Sequence, residues 1–275
     1  MKKPVISVIT VCRNSAATLE ETICSVLAQD YDLLDYVIID GGSTDGTLDI
    51  IERYRSRLGC VVSEPDRGIS DAFNKGIARA KGDVIGIINS DDIMLPGALQ
   101  AVAEAYDGAT DLYRGSVVIV NKATGFRGRE NPSMKFPLAP FVIHCAHQGT
   151  FISADAYKRW GGYDIKFRYM MDFDLMTRMY QGGAQLKRVE HDIAEFRLGG
   201  VSTTNSIKKK RYDVIHVVTN NGGGRLRAEW FYLYMRLYDF AKSAFIHLFG
   251  LDRLKRLHYR HSDRTDNSAT STQNL

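Results

Sequence analysis

The chain lacks any paired-cysteine motif. Its four cysteines, Cys12, Cys24, Cys60 and Cys145, are scattered through 275 residues without a CxxC spacing. That distribution excludes a zinc ribbon or a disulfide scaffold and fits a reducing, cytoplasmic setting. No apolar stretch reaches the roughly 18–20 residues that a spanning helix requires. The amino-terminal run MKKPVISVITVCRN is short, starts its apolar part at Pro4 and reaches Arg13 without a small-residue cleavage site, so it reads as a strand and not as a signal peptide. Internal repeats are absent, as are compositional extremes. Hydrophobic residues at 44%, charged residues at 25% and 24 glycines exclude collagen-like, coiled-coil and wholly disordered chains. The length suits one large domain or two small ones.

Charge of one sign is scarce overall, with a net value of +4, but it is unevenly placed. Residues 205–264 hold 13 Lys/Arg against 5 Asp/Glu, which points this part of the chain toward something anionic or toward a solvated face.

The first hundred residues alternate β-branched runs with helical patterns, the signature of βαβ units around a mostly parallel sheet. VISVITV is a buried strand, followed by a helix from Ser15 to Gln29 whose Leu19, Ile23, Val26 and Leu27 fall at helical spacing. YVIID at 36–40, a glycine-rich turn and a helix from Asp45 to Leu58 come next. CVVSE, a helix over Ser70–Ala80 and the strand VIGIIN at 84–89 complete the pattern. Each strand ends in polar residues, and ligands of open α/β sheets sit outside the carboxyl ends of the strands. Arg13, Asp40, the stretch 64–71 and the stretch 89–92 therefore converge on one crevice. Residues 111–200 read as the second half of the same domain, with the strand LYRGSVVIV, a polar loop over 121–135 and a helix over Asp172–Gln181. Residues 205–260 read as a helical extension, and the tail 261–275, ending in SDRTDNSATSTQNL, is too polar to pack.

Three segments carry candidate chemistry. IIDGGSTDGT places Asp40 at a strand end before two glycines, where its carboxylate either accepts hydrogen bonds from a nucleobase or ribose or braces the turn. INSDDIMLP sets Asp91 and Asp92 directly after a buried strand. Adjacent charges there are costly unless a cation offsets them, and hard divalent ions take carboxylate and phosphate oxygens together. The competing reading is a helix cap near Pro96. YMMDFDLMTRMYQGG opens a helix with Asp172 and Asp174, where a carboxylate can accept a proton from an attacking hydroxyl; the alternative for Asp174 is a pair with Arg178 on a solvated face. The histidine-bearing loop IHCAHQGT holds His144 and His147, and a zinc site there would need more Cys or His nearby. No glycine- and lysine-rich triphosphate loop near the first strand supports nucleotidyl transfer.

Taken in order, SVITVCRN, VIIDGGSTDGT, EPDRGISDAFNKGIARAKGDVIGIINSDD, HQGTFISADAYKRWGGYD and MDFDLMTR resemble the motifs of the inverting family 2 glycosyltransferases with the A-type nucleotide-diphospho-sugar transferase fold, over residues 4–204. The resemblance implies an α/β, Rossmann-like fold with a mostly parallel sheet flanked by helices. It divides the chain into a catalytic domain at 1–204, with a nucleotide-sugar half at 1–110 and an acceptor half at 111–204, plus the extension. It implies that Val11 to Arg13 and Asp40 lie against the nucleotide and that Arg67, Asp71 and Asn74 line the sugar-diphosphate pocket. The family's Asp-x-Asp motif falls on Asn89, Ser90 and Asp91, followed by Asp92, so Asp91 and Asp92 are the implied ligands of Mg²⁺ or Mn²⁺. Asp172 falls where the catalytic base stands, with Met171 in place of the usual preceding Glu. His147, Gln148, Asp174 and Arg178 fall on the acceptor side. Arg197 and Ser202 stand where many relatives carry a histidine, and the processive Gln-x-x-Arg-Trp motif is absent.

The implied reaction is transfer from a nucleotide-diphospho-sugar, a UDP-sugar being favoured, to a glycan or lipid-linked acceptor of bacterial surface-polysaccharide assembly. A catalytically inactive sugar-nucleotide sensor is the alternative, and nucleic acid is not an expected partner. The segment EWFYLYMRLYDFAKSAFIHLFG places Glu229, Arg236, Asp239, Lys242, Ser243 and His247 on one helical side and leaves a broad aromatic and aliphatic face. Flanked by KKKR and RLKRLHYR, that face suits peripheral contact with the inner face of a membrane, or packing on protein.

Overall fold

A computed structural model of the chain describes residues 2–132, 134, 146–199 and 210–249. Strands β1 (Ile6–Cys12), β2 (Leu34–Asp40), β3 (Cys60–Ser63) and β4 (Val84–Asn89) pair in parallel in the spatial order 3-2-1-4. The sheet continues through an antiparallel strand β8 (Thr150–Ser153) to β6 (Leu112–Asn121), then in parallel to β9 (Leu186–Arg197). The two-residue strand β5 (Ile93–Met94) closes that edge against β9.

Side chains alternate across this sheet with a period of two, and both faces are covered. Ile9, Val11, Val37, Ile39, Ile85 and Ile87 point to one face. Helices α3 (Ile69–Arg79), α5 (Ala154–Trp160) and α6 (Met171–Gln181) cover it. Ile6, Val8, Tyr36, Ile38, Val84 and Ile88 point to the other. There α1 (Leu19–Leu27), α2 (Thr47–Arg53) and α4 (Ala98–Ala105) pack. Burial on both faces is why the strands read as continuous apolar runs.

Three local expectations are corrected. Residues 15–18 form a turn before α1, because the backbone N–H groups of Ser15 and Ala16 donate to Thr47 Oγ1 and Asp45 Oδ2. The second helix ends at Arg53 and gives way to a 3₁₀ turn over Arg55–Arg57. Inside the expected polar loop 121–135 lies strand β7 (Phe126–Glu130), paired with the second half of β6. Its polarity hides the strand, since Arg127 and Arg129 reach Glu195 and Asp192 at 3.0 and 2.6 Å.

The helical extension begins as part of the core. Val214, Val217 and Val218 of α7 (Arg211–Asn220) and Ala228 and Phe231 of α8 (Arg225–Phe249) join the cluster beneath α6. Elsewhere on α8, Leu226, Trp230, Leu237 and Phe240 are exposed. No helix among the described residues is long and apolar enough to cross a membrane. The tail at 261–275 lies outside the described residues, as do His144 and Ser202.

Candidate active site

The carboxyl ends of β1, β2 and β4 bring the first group of polar residues together. Asn14 takes a left-handed conformation (φ 51°), which Asn tolerates better than most residues. It ties the β1 end to the β2 end: its N–H donates to Ser43 Oγ at 2.8 Å, and its Oδ1 accepts from Thr44 N at 2.9 Å. One residue on, Ser15 Oγ lies 2.9 Å from Ser90 Oγ, joining both strand ends to the turn after β4. Val11 is buried in the core, while Arg13 is exposed at the strand end.

Asp40 is fully buried, and its carboxylate is turned into its own loop. It accepts from Gly42 N and Ser43 N, both at 3.1 Å, from Ser63 Oγ at 2.7 Å and from Ser43 Oγ. Burial pushes its pKa up, but these donors outweigh burial and hold the carboxyl below its ordinary value. Of the two readings of Asp40, this geometry is that of the turn brace. A second acid, from the stretch 64–71 expected in the crevice, lies beside this turn. Asp66 Oδ2 lies 2.2 Å from where a Cβ on Gly41 would stand, so the absence of a side chain at 41 admits it.

Asp71 at the start of α3 is bound by Arg67, with Nη2 to Oδ1 at 2.8 Å, and its pKa is lowered chiefly by that bond. Asn74, expected to line the sugar-diphosphate pocket, uses both ends of its amide on the backbone of Tyr163, at 2.7 and 2.8 Å. It pins the 161–170 loop to α3.

The second group forms where β4, β8 and α6 meet. Asn89 ends β4, and the turn 89–92 closes with Asp92 N donating to Asn89 O at 3.1 Å. Asp92 is fully buried. Its Oδ1 accepts from Arg197 N at 3.0 Å, and its Oδ2 accepts from Gln148 Nε2 at 2.8 Å and Asn89 Nδ2 at 3.2 Å. Burial, and then the neighbouring Asp91 charge, push its carboxyl up to about 6. Asp92 therefore braces the turn after β4, each of its oxygens accepting from at least one internal donor. Gln148 is that brace's partner. Asp91, half-buried, receives no hydrogen bond from another side chain, and burial raises its pKa.

His147 sits on a 3₁₀ turn, His147–Gly149, directly before β8. A Cβ on Gly149 would meet Val117 Cγ2 at 2.6 Å and Gly115 O at 2.9 Å, so glycine lets this turn lie flat on β6. His147 Nδ1 lies 2.9 Å from Asp172 Oδ2, and Nε2 lies 3.3 Å from Asn89 Oδ1. Burial opposes a charged ring, but the charge and hydrogen bond of Asp172, followed by the charges of Asp92 and Asp91, raise the His147 pKa. Asp172, in the first turn of α6, keeps its other oxygen, Oδ1, enclosed and without a hydrogen-bond partner. Buried acceptors without partners are uncommon and concentrate at functional sites.

Asp174 and Arg178 do pair, Nε to Oδ2 at 2.8 Å, with Asp174 buried and Arg178 half-buried. Arg178 also donates to Trp160 O and Gly162 O, and Asn221 donates to Asp174 Oδ1 at 3.2 Å. Arg197 is likewise committed, to Glu21 and Glu195. A further residue without sequence signal is Asp213 of α7. Its Oδ2 accepts from the N–H groups of Arg168, Tyr169 and Met170 at 2.9, 2.6 and 3.1 Å, fixing the segment that leads into α6 and Asp172.

Among the described residues no group of three His, Cys, Asp or Glu is placed to hold a metal ion. The donor set fits only an ion completed by its substrate: Asp91 offers one carboxylate without a side-chain partner, and Mg²⁺ or Mn²⁺ at such sites draws its other ligands from phosphate and water.

Comparison with known proteins agrees with this architecture. The family model described as Glycosyl transferase family 2 matches residues 7–162, more than half of the chain. A PGL/p-HBAD biosynthesis glycosyltransferase of Mycobacterium bovis is 28% identical over 212 residues, covering 74% of this chain and 81% of the relative. An uncharacterized glycosyltransferase of Mycobacterium tuberculosis is 30% identical over 180 residues, 64% of this chain and 68% of its own. Among solved structures, S. aureus TarS in complex with UDP-GlcNAc superposes with a TM-score of 0.61 at 18% identity, covering 89% of this chain and 75% of that one. The mannosyltransferase PcManGT from Pyrobaculum calidifontis, in complex with GDP-Man and Mn²⁺, gives 0.58 at 19% identity, covering 95% and 81%. These two share the fold. With a family model spanning β1 to the end of α5, on the fold those structures share, this chain belongs to the family 2 glycosyltransferases.

Proposed function

We propose that the protein transfers a glycosyl group from a nucleotide-diphospho-sugar to an acceptor hydroxyl with inversion at the anomeric carbon, Asp172 serving as the base. The observation that carries this reading is the state of the Asp172 carboxylate. One oxygen is held by His147 and the other has no partner, at the strand ends where open α/β sheets bind ligands. In the reaction the acceptor hydroxyl gives its proton to Asp172 Oδ1 and its oxygen bonds to the anomeric carbon. The bond from that carbon to the diphosphate oxygen breaks, and the nucleoside diphosphate departs with the electron pair. A divalent cation held by Asp91 and the diphosphate would neutralise the charge that develops on the leaving group. The nucleotide would lie along Val11–Arg13 and the Asp40 loop, with Arg67 and Asp71 beside the diphosphate. UDP and GDP sugars bound by the structural neighbours support a donor of this class, and a UDP-sugar is favoured.

The acceptor we propose is a lipid-linked glycan of bacterial surface-polysaccharide assembly, met by the protein at the inner face of the membrane. Support comes from the exposed stripe Leu226, Trp230, Leu233, Leu237 and Phe240 along α8, which lies at helical spacing between basic sequence at 208–211 and 253–260.

Release of nucleoside diphosphate from a panel of UDP-, GDP- and dTDP-sugars, with Mn²⁺ or with EDTA and with membrane extract as the acceptor source, tests the reading. Turnover of one donor, lost with Asp172→Asn and strongly reduced with Asp91→Ala or EDTA, is the expected result. Donor binding with no release under any condition would instead make the chain a sugar-nucleotide sensor.

A further inference from the structure

Asn89 stands where the resemblance places the first carboxylate of the metal motif, and its amide has a determined orientation. The backbone N–H of Arg197 bonds Asp92 Oδ1, and the side-chain amides of Gln148 and Asn89 both approach Asp92 Oδ2. A carboxylate accepts and does not donate, so the Asn89 –NH₂ faces Asp92 and its carbonyl oxygen faces His147 Nε2. That oxygen carries no proton, hence Nε2 must. The other ring nitrogen, Nδ1, faces the Asp172 carboxylate, again an acceptor. Both nitrogens of one imidazole thus point at oxygens that accept, and only a ring protonated on both can satisfy them.

We propose that Asn89 and His147 are positioning residues: Asn89 holds His147 as an imidazolium, and His147 holds Asp172 by one oxygen with the other turned free. This inference rests on the reading of Asp172 as the base. It removes His147 from the acceptor side and explains why an amide can stand in the metal motif. An amide donates to Asp92 with one end and accepts from His147 with the other, and a carboxylate cannot do both.

The surroundings of the ring agree. Its carboxylates come from two elements, Asp172 on α6 and Asp91 and Asp92 on the turn after β4. On the α3 side the Phe73 ring packs against it, centroids 5.6 Å apart, adding no charge. The guanidinium of Arg197, the cation that acts on Asp91, is committed to Glu21 and Glu195. The Asp172 carboxylate bonded to Nδ1 favours the cation, and the raised His147 pKa agrees with that geometry.

Two-bond ¹H–¹⁵N spectra of the full ¹⁵N-labelled chain at pH 7.5, assigned with His147→Gln, test the arrangement directly. Imidazolium signals for His147 are expected in the unsubstituted chain and in Asn89→Asp, which keeps an acceptor for Nε2. In Asn89→Leu, matched in size but without an acceptor, signals of a neutral tautomer are expected. Kinetically, Asn89→Leu should lower kcat about tenfold with the donor KM within about twofold, and Asn89→Asp should recover much of the loss. A neutral His147 in the unsubstituted chain overturns the inference whatever the variants do, and so does an unchanged kcat in Asn89→Leu. Full turnover by Asp172→Asn would instead overturn the transferase reading of Asp172, a result separate from the state of His147.

Discussion

At the scale of single residues, the site is a set of carboxylates distinguished by what surrounds each. Asp40 has five donors, the Cys12 thiol among them, and no exposed surface, so it belongs to the turn. Replacing it by Asn puts an –NH₂ among donors and is expected to cost about 2–3 kcal/mol. Because its pKa is lowered in the folded chain, the stabilisation by its ionised form is complete well above the unfolded value near about 3.9 and is lost as pH falls through the folded value. Urea midpoints from pH 6 to pH 3 should therefore show the advantage over Asp40→Asn shrinking on acidification; a constant gap would contradict this. The motif residues were legible in the sequence as chemistry-bearing types at strand ends. Their facing was not: Asp92 looks as available as Asp91 until Gln148 and Arg197, on elements distant in the chain, are seen to hold it, whereas the Asp174–Arg178 pair was already suggested by its i,i+4 spacing.

At the scale of elements, Asp172 depends on two supports that no local pattern announces. One is the flat contact of the His147–Gly149 turn on β6, where the Val117 side chain and the Gly115 carbonyl leave no room for a methyl group. Gly149→Ala is expected to destabilise the fold by about 1–3 kcal/mol and to lower turnover more than donor affinity, because the turn carrying His147 must lift. The other is Asp213, more than 40 residues beyond the N–H groups that it holds. Asp213→Ala leaves three backbone donors short of their acceptor, that of Met170 buried, and should cost about 1–3 kcal/mol, with kcat falling even at temperatures where the variant is fully folded. Thermal unfolding and donor turnover measured on the same samples check both. Helices with clear apolar spacing, such as α1, α3 and α6, were readable to within a few residues. The polar strand β7 was not, since its pairing depends on β6 and on acids of β9.

At the scale of the whole molecule, the described part of α8 divides the helix between two duties. Ala228 and Phe231 belong to the catalytic core, while Trp230 and Leu237 face outward. Under the membrane proposal, Trp230→Ser together with Leu237→Ser should leave nucleoside diphosphate release in solution intact and weaken pelleting with anionic vesicles. Raising the salt should weaken it further. Equal pelleting of both proteins, or indifference to vesicle charge, would argue against a lipid-facing helix. The basic extension was visible in the sequence as a charge imbalance, but its first half turned out to be core.

By itself, the sequence determined the alternation of strands and helices, the burial of the parallel half on both faces and the identity of the chemistry-bearing residues at strand ends. These follow from periodicity and local residue type, which act over a few residues. The tertiary structure alone decided which of those residues are free. Asp40, Asn74, Asp92, Asp174 and Arg178 are consumed by internal hydrogen bonds, and Asp91 and one oxygen of Asp172 are left. A carboxylate's role depends on the donors around it, and here several of those donors arrive from chain segments tens of residues away. No local pattern records them, because only the packing of β4, β8, β9 and α6 at one end of the sheet brings them within hydrogen-bond reach.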